Sequence, residues 1–297
     1  MAANTPFANL GVVSNFTSVH HDTYPFISLD KNSLSGKSVF IAGASKGIGK
    51  ETAVALGTAG CSKIAIGARS DISKLADEIT KAATDAGKSA PQVVSLQLDV
   101  TSEDSVKAAA DKIAQEFGGA LDVLVCNAGN LENWHPVAES NPAEWWKTYE
   151  INVKGTFLLN HYFIPLLLKS ETKTSILTTS YGALAVREGA SGYQTSKFVV
   201  CRLAEFIATE YEAQGLVCMA IHPGGVKTEL AHNMPEEMWV VLVDEPALPA
   251  NTIVWLSREH RPWLNGRFVS VNWDMEELES KKDKIVEDNL FKFRMLA

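Results

Sequence analysis

The sequence predicts an α/β fold: a single domain on a doubly wound parallel sheet of about seven strands, with helices on both faces. Three observations predict it. From Lys37 onward, short apolar runs alternate with helical stretches. The runs are apolar on both faces, as strands covered from both sides are. A glycine-rich turn, Gly43-Ala44-Ser45-Lys46-Gly47-Ile48-Gly49, stands between the first run and the first helix.

Residues 1–36 carry Pro6, Pro25 and scattered Asn, Ser and His, and read as an N-terminal extension or strap. The domain proper is expected over 37–274. Its first strand is Ser38-Val39-Phe40-Ile41-Ala42, followed by a helix from Ile48 to Ala59. Lys63 to Gly67 is a strand, and a polar helix runs from about Ile72 to Ala86. Gln92 to Leu98 is a strand, Ser105 to Phe117 a helix, and Leu121 to Cys126 a strand. One long helical stretch is expected from Pro142 to about Leu168, where Pro142 suits a first turn because its missing N–H would be unpaired there anyway. Ser175 to Thr179 is a strand, Gly192 to Ala213 a helix, Leu216 to Ile221 a strand, and Gly266 to Val271 the last strand. A charged tail, 275–297, is expected to be helical in part.

The bulk properties narrow the function. The chain has 297 residues, 46% hydrophobic and 21% charged, the balance of a globular protein with a sizeable core. A net charge of −8 argues against nucleic acid or an anionic membrane as main partner. Cys61, Cys126, Cys201 and Cys218 form no CxxC pair and read as buried small hydrophobes, with no metal site expected. No apolar run reaches the roughly 20 residues that span a bilayer. No basic segment precedes an apolar block at the N-terminus, so a cytoplasmic protein is expected and the sequon Asn15-Phe16-Thr17 carries no weight.

The glycine turn has a physical purpose. A backbone that must turn tightly and approach a pyrophosphate has no room for side chains, and the helix start supplies free N–H groups and partial positive charge. Tyr193 and Lys197 are four residues apart, on one helix face. A tyrosine can protonate the oxyanion left by hydride transfer, and a cation beside it lowers its pKa from near 10. Ser180 lies thirteen residues before Tyr193.

The glycine turn, Asn127-Ala128-Gly129, Tyr193-x-x-x-Lys197 and Pro223-Gly224 together resemble the short-chain dehydrogenase/reductase family, over about residues 37–273. The family's turn usually begins with Thr, where this chain has Ala42. The resemblance implies a single-domain Rossmann-like fold and a nicotinamide cofactor. Gly43, Ser45, Lys46, Gly47, Ile48 and Gly49 would cradle it. Asp99 and Val100 would lie beside the adenine, Asn127, Ala128 and Gly129 would border the adenosine pocket, and Pro223, Gly224, Val226 and Thr228 would hold the nicotinamide. Where an NAD-selecting enzyme places an acid after the second strand, this chain has Ala68 followed by Arg69. Arg69 can grip a 2′-phosphate through its planar fork, with Lys46 as a second charge, so NADP(H) is expected.

The resemblance also assigns the chemistry. Tyr193 would be the general acid in reduction, or the base in oxidation. Lys197 would lower its pKa and hold the ribose, Ser180 would polarise the substrate oxygen, and Asn152 would position Lys197 through a water. Ser180 is preferred to Thr179 by its spacing, and His222 reads as a structural histidine. A substrate cover is expected over about 228–265, where Leu230, Met234, Met238, Trp239, Val240, Val241 and Leu242 either line a pocket or pack on the body. Trp134, Tyr181 and Trp239 are the named substrate candidates. The expected function is NADPH-dependent reduction of a small ketone or aldehyde. Oxidation of an alcohol, or cofactor binding without redox chemistry, are the alternatives. Helix packing through about 142–168 and 192–213, or pairing near the last strand, would give a homodimer or homotetramer.

Overall fold

The computed structural model describes residues 16–295. Residues 1–15, including Asn15 of the sequon and most of the first half of the expected strap, lie outside the described residues, as do 296–297. Strands β1 (Ser38–Ala42), β2 (Lys63–Ala68), β3 (Gln92–Gln97), β4 (Val123–Cys126), β5 (Thr174–Thr178), β6 (Val217–His222) and β7 (Phe268–Ser270) form one sheet in the order β3-β2-β1-β4-β5-β6-β7. Every neighbouring pair is parallel. The interior strands β1, β4 and β6 are buried at every position, whereas the edge strand β3 buries only Val94. That contrast follows from helices covering both faces of the middle of the sheet.

The connecting helices are α1 (Gly47–Thr58), α2 (Ser73–Asp85), α3 (Glu103–Phe117), α4 (Pro142–Tyr149), α5 (Gly155–Leu167), α6 (Ser191–Glu210) and α7 (Ala247–Arg258). Helix α1 packs against α2 and α7, α3 against α5, and α4 against α6. Local chemistry sets several ends. The Ser102 hydroxyl accepts the Ser105 N–H at the start of α3, and Gly118, at φ +81°, ends it in the left-handed region. At α4, the Asn141 side chain accepts the N–H groups of Ala143 and Glu144, with Pro142 in the first turn as expected.

Two elements differ from the sequence reading. The single long helix from Pro142 is divided by a π turn, Glu150–Lys154, between α4 and α5. The expected cover over 228–265 also divides. Its first part forms two 3₁₀ turns, Glu229–Asn233 and Glu236–Val241. Its second part is α7, a buried helix in the body of the domain, so it covers nothing.

The segment before β1 meets the segment after β7. Val19 bridges antiparallel to Trp273, and the His20 N–H donates to the Asn272 carbonyl at 2.8 Å. Ile27 and Leu34 are fully buried. The tail contains α8 (Met275–Ser280), capped by Asp274, and α9 (Lys282–Glu287). It then turns along the sheet edge, where the Phe268 N–H donates to the Phe291 carbonyl at 2.9 Å. The buried indole of Trp273 packs on the Phe291 ring, with centroids 4.6 Å apart.

Candidate active site

The strand order reverses between β1 and β4, and a crevice opens beyond their C-terminal ends, as doubly wound sheets dictate. The glycine turn and the loop after β4 meet there at backbone distance. Gly43 sits at φ +92°, and a Cβ on it would lie 2.6 Å from the Ala128 nitrogen. A Cβ on Gly49 would run into the Gly43 carbonyl. The Asn127 amide donates to that same carbonyl at 2.8 Å, locking the turn to the end of β4. Only glycines permit this closeness.

Two cavities open from the crevice. The first, about 670 Å³, is the more polar of the two, its lining about equally polar and apolar, and Gly43, Ser45, Lys46, Gly47 and Ile48 of the turn border it. Ala68, Arg69, Asp99 and Val100 form one end, Asn127, Ala128 and Gly129 the floor, and Lys197, Pro223 and Thr228 the other end. Of the cofactor residues expected from sequence, Gly49 packs behind the turn, and Gly224 and Val226 face the second cavity. The Asp99 carboxyl is held below its ordinary range, first by the Thr101 N–H, with burial opposing and Arg69 and Lys154 adding. Lys46 is paired with Glu229 across the mouth of the cleft, both side chains being exposed. This space fits a dinucleotide: backbone N–H groups at a helix start, an open trough, and cations at one end.

The second cavity, about 450 Å³, is mainly apolar. Ser180, Tyr181, Tyr193, Leu131, Met234 and Val240 line it, among others. Tyr193 borders both cavities, Ser180 only the apolar one and Lys197 only the polar one. The reactive groups therefore stand where the two spaces meet.

Ser180 follows β5 and opens a 3₁₀ turn, where its Oγ accepts the Gly182 N–H at 3.0 Å. The neighbouring Thr179 also borders the first cavity, but its buried hydroxyl donates to the Lys197 carbonyl at 2.9 Å and is engaged there. Tyr193 lies in the first turn of α6 and Lys197 one turn later. Burial raises the Tyr193 pKa above 10; its hydrogen bond with Ser180 lowers it, and the Glu132 charge raises it further. The expected depression by Lys197 is absent in this geometry. The Lys197 amine donates to the Thr178 carbonyl at 2.9 Å and stands 5.6 Å from the centre of the Tyr193 ring. Burial lowers the Lys197 pKa to about 8.

Asn152 belongs to the π turn. Its Nδ2 donates to the Asn130 carbonyl and the Ser196 hydroxyl, both at 2.9 Å, and its Oδ1 accepts the Asn130 N–H at 2.8 Å. It braces the loop after β4 against α6. His222 is buried at the end of β6, and its Nδ1 accepts the Tyr181 N–H at 3.2 Å. Burial lowers its pKa to about 3, against the pull of Asp244, so the ring is neutral.

Two substrate candidates are misplaced by the sequence reading. Trp134 lines neither cavity and packs against Gly189. Trp239 lies on the outer side of its 3₁₀ turn, donating to the Met234 carbonyl at 3.2 Å and resting on His232. The turn puts Val240, Val241 and Leu242 on the cavity instead. Sequence reasoning also missed Glu132. Its buried Oε1 accepts the Tyr193 N–H at 2.7 Å, where Ala190 offers α6 no side-chain cap. Oε2 is buried without a partner, and a Cβ on Gly192 would lie 2.7 Å from Oε1. The acid reaches the helix from another loop, and no local spacing announces it.

The comparisons with known proteins agree with this arrangement. The model of the short chain dehydrogenase family matches residues 37–239. The chain is 48% identical over 277 residues to the short chain dehydrogenase citE of Monascus ruber, covering 93% of this chain and 94% of that one. A short chain dehydrogenase from Salmonella enterica serovar Typhi superposes with a TM-score of 0.71 at 27% identity, covering 84% of this chain and 99% of that one. A similar protein from Shigella flexneri, solved with NADP, gives a TM-score of 0.70 at 27% identity over 81% and 98% of the two chains. The chain belongs to the short-chain dehydrogenase/reductase family, whose members are oxidoreductases that bind a nicotinamide cofactor.

Proposed function

We propose that the protein reduces the carbonyl group of a small, largely apolar ketone or aldehyde to an alcohol, using NADPH. The observation that carries this reading is the position of Tyr193, on the boundary between a polar trough that fits a dinucleotide and an apolar cavity that also holds Ser180.

NADPH, when bound, supplies the hydride. The chain's own residues do the rest. The Gly43 to Gly49 turn presents backbone N–H groups to the pyrophosphate. Ala68 puts no carboxylate at the end of β2, and Arg69 and Lys46 would offer cations to a 2′-phosphate. Lys46 would exchange Glu229 for that phosphate, a small loss because solvent screens an exposed ion pair. Ser180 donates to the substrate oxygen, and Tyr193 gives that oxygen its proton. The raised pKa keeps Tyr193 protonated, which favours its role as donor. Lys197 holds the ribose and Asn152 holds the wall beside it.

Arg69→Ala is expected to weaken NADPH binding about tenfold or more, the scale of one lost charge-assisted contact, and to leave NADH binding unchanged. Parallel fluorescence titrations measure both; equal loss for the two nucleotides would remove the case for NADP selection.

We also propose a homodimer. Trp146 of α4, Phe157 of α5 and Phe198 and Phe206 of α6 are exposed, an apolar face on the helices that the sequence marked for pairing. The tail occupies the β7 edge, which disfavours assembly there. No described helix is long and apolar enough to cross a membrane, and the acidic net charge supports a cytoplasmic enzyme without nucleic-acid partners.

A further inference from the structure

Val19 and His21 precede the domain's first strand by some distance in sequence, yet both line the apolar cavity that holds Ser180 and Tyr193. Val19 is 46% exposed. The segment that carries these residues is built into place. The Val19–Trp273 bridge fixes it to the chain just after β7, and the His20 imidazole bonds Asp274 at 2.8 Å. The Glu245 N–H donates to the His21 carbonyl at 2.8 Å, and the His21 Nδ1 bonds the buried Asp244 at 2.5 Å.

Asp244 joins this segment to the loop after β6. Its second carboxylate oxygen accepts the Gly225 N–H at 2.5 Å. Gly224 sits at φ +82°, and a Cβ there would lie 2.6 Å from that oxygen. A Cβ on Gly225 would strike the Val241 carbonyl. The loop, the 3₁₀ turn ending at Val241 and the N-terminal segment thus pack too tightly for the wall to be incidental. Both oxygens of the carboxylate are engaged, and the cavity offers a mainly apolar surface.

We propose that the segment around Val19 and His21 is a wall of the substrate site, and that these two residues select an uncharged ketone or aldehyde with a bulky apolar body. This rests on the carbonyl-reductase reading and adds to it the part of the chain that meets the non-reacting end of the substrate. The cavity volume, about 450 Å³, falls in the range of sites that enclose a ligand of several fused or linked carbon units.

The test uses the full chain with Val19→Trp, and Val19→Phe as a smaller step should tryptophan impair folding. The probes are 1-tetralone, a neutral bicyclic ketone, and 2,3-butanedione, a compact one. Binding of 1-tetralone is read by saturation-transfer NMR with NADP⁺ present, and turnover is read from NADPH absorbance. Filling the wall is expected to weaken 1-tetralone binding and raise its KM about tenfold or more, while NADPH affinity and the KM for 2,3-butanedione hold. Unchanged 1-tetralone binding in both folded variants overturns the proposal, as does an equal loss for both ketones. Failure of wild-type protein to bind 1-tetralone overturns it too. Selective loss of 1-tetralone binding without any turnover supports the wall and instead contradicts the carbonyl-reductase reading.

Discussion

At the scale of single residues, the site sets opposing influences on one phenol. Burial and Glu132 keep Tyr193 protonated, while Ser180 favours its ionisation. Glu132 also accepts the Tyr193 N–H, so one carboxylate both anchors the residue and biases its proton. Glu132→Gln retains an acceptor for that N–H and removes the charge. The phenol then ionises more readily. In reduction the active form is protonated and present below the Tyr193 pKa, so the alkaline fall of kcat/KM is expected to move to lower pH. The pH–rate profile with a reducible ketone measures this. An unshifted profile in a stable variant would leave Glu132 as a helix cap alone. The neutral His222 beside Tyr181 and the paired His21–Asp244 contribute no change in this comparison, since the variant leaves both in place.

At the scale of elements, legibility followed period and turn chemistry. The strands read as short apolar runs, and Pro142 marked the start of α4, whereas the Ser102 cap that starts α3 two residues before the expected Ser105 went unread. The π turn was invisible because one extra backbone residue, between Tyr149 and Gly155, does not interrupt an apolar pattern. Helix α7 was missed for a different reason: it is buried all round and contains Pro249, so it has no polar face to reveal a period. Trp239 was placed wrongly because nothing in the sequence separates it from Val240, Val241 and Leu242, and only the course of the 3₁₀ turn decides which of them borders the cavity. Among site residues, Gly43, Gly47, Gly49, Tyr193 and Lys197 were legible from spacing, whereas Glu132, Val19 and Asp244 reach the site only through tertiary packing. The glycine turn makes the sharpest element-scale prediction. Gly49→Ala puts a methyl against the Gly43 carbonyl and is expected to lower the melting temperature and weaken NADPH binding. Thermal melts and fluorescence titration check both, and wild-type values for each would show the turn to have slack that its packing denies.

At the scale of the whole molecule, the described parts of the strap and tail pack at the β7 side of the sheet, leaving the α4–α6 side with exposed aromatic residues. Phe206→Glu places a charge on that face and is expected to halve the mass seen by sedimentation without lowering secondary structure. A wild-type assembly unaffected by this change would contradict pairing through α6. In the proposed reaction, hydride reaches a carbonyl in the apolar cavity while Tyr193 supplies the proton. The most direct test follows deuterium from 4-deuterated NADPH into the alcohol formed from 1-tetralone, in wild type and Tyr193→Phe. Deuterated alcohol from wild type, with a rate loss of about 10²–10⁴ in the variant and undiminished NADPH binding, is the predicted result. Equal deuterium transfer by the two proteins would contradict it.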